Sequence, residues 1–409
     1  MRTNTSPLSR FVFISLLALA SLSFSQSVDM GKFPKRIILN LTADPSHSEA
    51  VTWRTAAPVS NPQVQVAPAI AAPKLDENQT TISAGTEQVG IGDNQTAYYH
   101  SAVIRDLQPG TLYAYRVGDG STWSEWNQFR TAEDKAAPFK FVYFGDPQND
   151  IIAYVSRIFR EAYKEAPNAA FWLFTGDMVS NSLSDSMWND LFYAAGWIPG
   201  MMPSIELPGN HSYPRMKING EKKRVLAPLW RPQFTLPENG PAGLPETCYY
   251  VDYQGVRFVM LNGNEKLPEQ ARWLDSVLAD NPNRWTVAAI HQPLYSTAEG
   301  RDYPELRELF LPVFDKFDVD LVLQGHDHSY GRTYKLRQGK IVRDDEKGTV
   351  YVVSVSGPKV YKVKSDTDVM ARLDTGRQLF QVITVSGGTL KYECRTVTGE
   401  LHDSFVLMK

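Results

Sequence analysis

Two histidines stand one residue apart at the end of an apolar run, in Gly325-His326-Asp327-His328. Similar endings recur upstream. Phe139 to Phe144 runs into Gly145-Asp146, and Ala170 to Phe174 into Thr175-Gly176-Asp177. Pro203 to Leu207 leads to Pro208-Gly209-Asn210-His211, and Trp285 to Ile290 leads directly to His291. In four of these five endings a glycine precedes the polar residue, so the chain can turn sharply and aim a short side chain at one point. Four of the chain's seven histidines fall here. Carboxylates, imidazoles and one amide suit a divalent or trivalent cation of intermediate hardness, such as zinc, iron or manganese. No thiolate takes part, which excludes a structural zinc site of the Cys type. Asp146, Asp177, Asn210, His291, His326 and His328 are too many donors for one tetrahedral ion. Two ions sharing a carboxylate account for them better. Singly, each residue has a plainer reading: Asp177 as a helix N-cap, Asn210 as a turn residue, His291 as a core histidine. Their joint occurrence favours the metal reading.

Such endings need a scaffold. From residue 138 onward apolar runs alternate with amphipathic segments. Helical patterns cover Ile151 to Ala166, with Ile152, Val155, Ile158, Phe159 and Ala162 on one face, then Ser186 to Ala195, Pro268 to Asp280 and Pro304 to Lys316. Strands alternating with helices predict an α/β layered domain over 138–409, its β-sheets flanked by helices and its strands buried on both faces. In such sheets the carboxyl ends of the strands form the ligand crevice. Residues 33–131 read differently. "AVTWRT" and "TLYAYRV" are short strands, the second entered through a Pro109-Gly110 turn, and they predict an all-β sandwich with Trp53 and Tyr113 in its core. Residues 131–138 form a polar linker, the boundary between the two. The stretch 212–247 is long, Pro-rich and basic around Lys222, Lys223 and Arg224, and a loop of that length is functional or mobile.

The order Gly-Asp, Gly-Asp, Gly-Asn-His, His and Gly-His-X-His resembles the metallophosphoesterase (calcineurin-like) superfamily, and its purple acid phosphatase branch in particular. The Leu107-X-Pro-Gly-Thr-X-Tyr113 turn and Trp53 resemble a fibronectin type III sandwich with its tyrosine corner. The resemblance covers essentially the whole chain after residue 25. It implies that Asp146 and His328 bind a first metal, that Asp177 bridges, and that Asn210, His291 and His326 complete a second. His211 would hold substrate phosphate or protonate the leaving oxygen. The implied activity is hydrolysis of phosphate esters by metal-bound hydroxide, as in an acid phosphatase acting on monoesters. A phosphodiesterase or nucleotidase of the same superfamily and a non-hydrolytic surface binding protein are the alternatives. The chain departs from the branch at one position. Where the family has a tyrosine whose phenolate binds ferric iron, three residues after the second aspartate, this chain has Ser180. Gln148 stands where other branches place a histidine. Tyr330 and Arg231 are weaker candidates, with packing the plainer role for both.

Composition narrows the partners. A formal net charge of −3 gives no electrostatic case for nucleic acid; the resemblance implies a small phosphorylated substrate. Arg2 and Arg10 flank an apolar run, Phe11 to Phe24, shorter than the roughly 20 residues that span a bilayer. It reads as a cleaved signal peptide over residues 1–25, giving a secreted or periplasmic protein with no membrane span. Cys248 and Cys394 could pair or remain buried thiols. Asn40, Asn78 and Asn94 each begin an Asn-X-Thr sequon. Sequence leaves the oligomeric state open.

Overall fold

A computed structural model describes Met1 and residues 29–92, 94–365 and 368–409. Apart from Met1, the expected leader over residues 1–25 lies outside the described residues.

Residues 35–130 form two packed sheets. Lys35–Leu41, Glu49–Thr55, Gly85–Gly92 and Gln95–Ile104 make one; Gln63–Pro68, Thr80–Ser83, Leu112–Gly118 and Asn127–Arg130 make the other. Trp53, Tyr115, Val117 and Phe129 fill the space between them. The Tyr113 hydroxyl accepts a hydrogen bond from the Gln108 N–H at 2.8 Å, closing the corner that the Pro-Gly turn begins.

The remaining chain stacks two sheets face to face. In the first, Phe139–Phe144, Trp172–Phe174 and Ser204–Glu206 run parallel. A C-terminal meander, Leu379–Ser386, Thr389–Thr396 and Leu401–Met408, extends it along one edge. The second sheet has seven strands, with Val256–Leu261, Trp285–Ile290, Leu321–Gln324 and Val350–Val353 parallel at its centre. Phe141 and Phe171 from the first sheet meet Phe258 from the second, each ring centroid 5.1 Å away. Helices α1 (Ser156–Glu165) and α2 (Asp185–Ala195) cover the first sheet, where Phe159 of α1 packs on Phe144 and Trp172. Helices α3 (Leu267–Ala279) and α4 (Pro304–Lys316) cover the second, burying Leu274 and Phe310 against Val259, Ala288 and Val322. Val256–Leu261 and Trp285–Ile290 are buried at every position. Their unbroken apolar character follows from having a sheet on one side and helices on the other.

The two units share a sheet. Ser204–Glu206 pairs in parallel with Lys35–Leu41, Asn40 opposite Ser204, so one sheet of ten strands runs from the C-terminal meander into the sandwich. Asn40 is fully buried at this seam, donating to the Ser204 carbonyl at 3.2 Å and to Glu206 Oε2 at 3.0 Å. Its sequon is therefore closed in the folded chain, whereas Asn78 and Asn94 are exposed.

Three expectations need correction or closing. Ile152 is 48 % exposed and is not on the buried face of its helix. Ile151–Val155 is a π-turn feeding α1, and its wider winding shifts the phase so that Ile151 points inward. Cys248 and Cys394 are both free and buried, so no disulfide forms. The 212–247 stretch is ordered: it contains a hairpin, Arg215–Ile218 with Glu221–Arg224, and a short helical turn, Arg231–Gln233.

Candidate metal centre

The five strand endings converge on one crevice. Asp146, Asp177, His326 and His328 all have positive φ, between 43° and 73°. Such backbone is strained for side-chain-bearing residues and clusters at functional sites. The glycines leave room for this. A Cβ on Gly325 would lie 2.1 Å from Asp146 Oδ2, and one on Gly209 would lie 2.1 Å from Asp177 Oδ1.

One half of the site gathers around His291. Its Nδ1–H donates to the Thr175 carbonyl at 2.8 Å, which turns Nε2 inward. Asp177 Oδ2 at 3.1 Å, Asn210 Oδ1 at 3.2 Å and His326 Nδ1 at 3.1 Å surround that Nε2. Asp177, His291 and His326 thus offer donor atoms within 4.8 Å of one another. The other half holds Asp146 and His328, whose Nε2 is 3.6 Å from Asp146 Oδ1. Gln148 is fully buried between the halves, its amide nitrogen 3.4 Å from Asp177 Oδ2 and 3.1 Å from His328 Nε2. The side chains of Asp146, Asp177, His291 and His328 are almost wholly buried. His211 stands at the opening, its side chain 34 % exposed and Nε2 3.9 Å from Asp177 Oδ2. Its Nδ1–H donates to the Ser180 carbonyl at 2.6 Å, which assigns the inner nitrogen as the free one. The Ser180 hydroxyl instead turns toward Met187 Sδ.

This donor set fits cations. Asp146 Oδ1 and Gln148 Oε1 are buried without a hydrogen-bond partner, a costly state for polar oxygens unless something positive satisfies them. Burial drives the Asp146 carboxyl up, to about 8, with neighbouring Asp177 adding to the rise. For Asp177 burial pulls the same way, but the charges of His291 and His211 outweigh it and hold the carboxylate low. Burial opposes a charge on His291, yet Asp177 and Asp146 together raise it to about 9. His326 and His328 go the other way, burial keeping both rings neutral, His328 down to about 3. Neutral imidazole is the metal-binding form.

Residues the sequence reading did not single out hold the centre in place. The Tyr303 hydroxyl meets His326 Nε2 at 2.6 Å. Asp327 Oδ2 accepts from the Ser296 hydroxyl at 2.5 Å and from the backbone N–H groups of Thr297 and Ala298 at 2.6 and 3.0 Å. The Tyr361 N–H donates to the His328 carbonyl at 3.1 Å while its ring packs on His328. Asp327 stands between two predicted ligands, so its position could have drawn notice; Tyr303 and Tyr361 carry no spacing signal. Tyr330 is buried away from the site, donating to Asp403 Oδ2 at 2.8 Å. Arg231 is taken up by Glu238 and Glu246. Among the described residues no helix is long and apolar enough to cross a membrane.

Comparison with known proteins agrees with this architecture. The family model for the purple acid phosphatase N-terminal domain matches residues 34–131, and that for calcineurin-like phosphoesterases matches residues 139–330. An uncharacterised protein of Mycobacterium tuberculosis is 26% identical over 328 residues, covering 70% of this chain and 60% of the relative. The match therefore spans less than two thirds of that relative's length. The acid phosphatase type 7 of Homo sapiens is 26% identical over 329 residues, covering 74% of this chain and 71% of the relative. The solved purple acid phosphatase PPD1 from yellow lupin (Lupinus luteus) superposes with a TM-score of 0.78 at 20% identity, covering 92% of this chain and 74% of that one. Two family models follow one another in the order in which sandwich and layered domain fold, and the chain belongs to the calcineurin-like metallophosphoesterases, in their purple acid phosphatase-like branch.

Proposed function

We propose that this chain is an exported hydrolase of phosphate esters, acting on small phosphomonoesters with two metal ions of the iron, zinc or manganese kind. One observation carries the reading: six oxygen and nitrogen donors from five strand ends face one buried crevice, with the Asp146 Oδ1 left for a cation. Asp146 and His328, with the Gln148 amide beside them, would hold one ion; Asn210, His291 and His326 the other; Asp177 both. When bound, such a pair neutralises charge on the phosphoryl oxygens and lowers the pKa of the water that attacks.

The chain's own residues do the rest. His291 is fixed in one tautomer by Thr175 and His326 by Tyr303, so their donor atoms need no reorganisation. His211 sits at the rim with Nε2 free and Nδ1 anchored. It is suited to bind the substrate phosphate and to give a proton to the departing oxygen. Burial of the carboxylates keeps bulk water from screening them. Ser180 supplies no phenolate, so a metal in the first position relies on Asp146, Asp177 and His328.

The experiment is elemental analysis of the purified protein together with hydrolysis of nitrophenyl mono- and diesters. Expected are two metals per chain, a preference for the monoester, and loss of at least about a thousandfold in kcat/KM for Asp177→Ala. Unchanged hydrolysis in that variant would end the proposal, and a preference for the diester would move it to a phosphodiesterase.

A further inference from the structure

The segment that follows His211 folds into a hairpin four of whose cations have no acidic partner among the described residues. Arg215–Ile218 and Glu221–Arg224 are joined by Asn219-Gly220, with φ of 49° and 88°. These are the left-handed pair that a two-residue type I′ turn requires. The turn fixes the register: Arg215 lies opposite Arg224, and Lys217 opposite Lys222. Because side chains alternate across a strand, these four cations share one face. The other face carries Met216, Ile218, Glu221 and Lys223, where Lys223 pairs with Glu221 at 2.9 Å. All four cations are exposed, and none enters an ion pair among the described residues. Like charges directly opposite one another destabilise a hairpin. Here two such pairs follow in succession, in a chain whose net charge is −3. The Arg224 guanidinium donates to the carbonyls of Asn210 at 3.3 Å and Tyr213 at 3.1 Å, so the Arg224 end of this face lies against the segment that carries Asn210 and His211.

We infer that the hairpin is an anion-binding arm that adds to the small phosphomonoesters a second class of substrate, several phosphates in a chain as in inorganic polyphosphate, with the terminal phosphate entering the centre. The inference rests on the hydrolytic reading given above. The two rows of cations are about 7 Å apart along the strands, so an anion that relieves both must be longer than orthophosphate. The hairpin contains no aromatic side chain. It offers no platform for base stacking, which favours a condensed phosphate over an oligonucleotide. In the reaction, water adds to the terminal phosphorus and the bridging P–O bond breaks. The water oxygen stays with the released orthophosphate, and a chain one phosphate shorter leaves.

The test is calorimetric titration of the metal-replete protein with short-chain polyphosphate, orthophosphate and oligothymidylate, for wild type and for the double variant Lys217→Gln, Lys222→Gln. Wild type is expected to bind polyphosphate at least about tenfold more tightly than orthophosphate, and the variant to lose most of that preference. The slope of log affinity against log salt should become shallower by about 1.4 for two lost contacts. With no ligand present the variant should melt no lower than wild type, since two repelling charges are gone. Equal polyphosphate affinity in both proteins, or oligothymidylate binding as tight as polyphosphate, would overturn the arm. Turnover separates the two readings. Charge-dependent polyphosphate binding with no orthophosphate release would overturn hydrolysis and keep the arm. Hydrolysis of nitrophenyl phosphate without charge-dependent polyphosphate binding would overturn the arm alone.

Discussion

At the crevice mouth His211 is poised differently from the six donors behind it. Its ring is anchored through Nδ1 and open at Nε2, so its contribution should scale with how much the leaving oxygen needs a proton. His211→Gln is expected to slow hydrolysis of alkyl phosphates about a hundredfold or more, and of nitrophenyl phosphate much less. Equal losses on both would show that the ring binds without donating. Tyr303 never touches a substrate in this scheme; it fixes His326 through one hydrogen bond. Removing that bond with Tyr303→Phe is expected to weaken metal retention about 10- to 100-fold, read by competition with a chelator. Unaltered retention would reduce Tyr303 to a packing residue. Tyr303 was not legible in the sequence, because a tyrosine thirteen residues after the Trp285–Ile290 run has no pattern to mark it. The donors were legible because glycine, a strand end and a short polar residue recurred together.

Among the elements, the loops after the strands set the precision. Asp327 lies between the two histidines, yet its carboxylate faces away from the crevice and gathers the Ser296–Ala298 loop. Replacing it with Asn removes a buried charge-assisted acceptor. A stability loss of about 2 kcal/mol is expected for Asp327→Asn in denaturant melts; a change near zero would mean that the loop holds itself. Helix positions were well marked by apolar periodicity: Pro304 to Lys316 matches α4 at both ends. The failure at Ile152 has a local cause, since a π-turn leaves no trace in a 3.6-residue pattern. The hairpin within 212–247 was hidden for another reason. Its second strand, Glu221–Arg224, has no apolar residue, and period-2 apolar patterning is what signals a strand.

Across the whole molecule, the shared ten-stranded sheet makes the sandwich part of the scaffold that carries the candidate site. Thr235, downstream of the hairpin, donates its N–H to Asn40 Oδ1 at 3.0 Å and meets Thr52 through their hydroxyls at 2.9 Å, so the segment carrying His211 is clamped to the sandwich. Two domains could be read from composition, but the edge-to-edge join could not, because pairing between distant strands leaves no local signature. Glu206 lies in this seam, fully buried, with burial raising its carboxyl to about 8 despite bonds from Ser204 and Asn40. Its folded value lies above the unfolded one. The stability it allows is therefore complete below about pH 4.5 and lost as pH rises toward 8. Glu206→Gln should match wild type near pH 4 and exceed it by on the order of 2 kcal/mol at pH 9. A constant difference across that range would mean that Glu206 does not titrate in the folded chain.

The dinuclear centre is the premise on which the catalytic proposal and the anion-binding arm both depend, and anomalous diffraction from crystals of the purified protein tests it most directly. Two peaks are expected, one beside Asp146 and His328 and one among Asn210, His291 and His326, with Asp177 contacting both. A single peak, or peaks remote from these side chains, would contradict it.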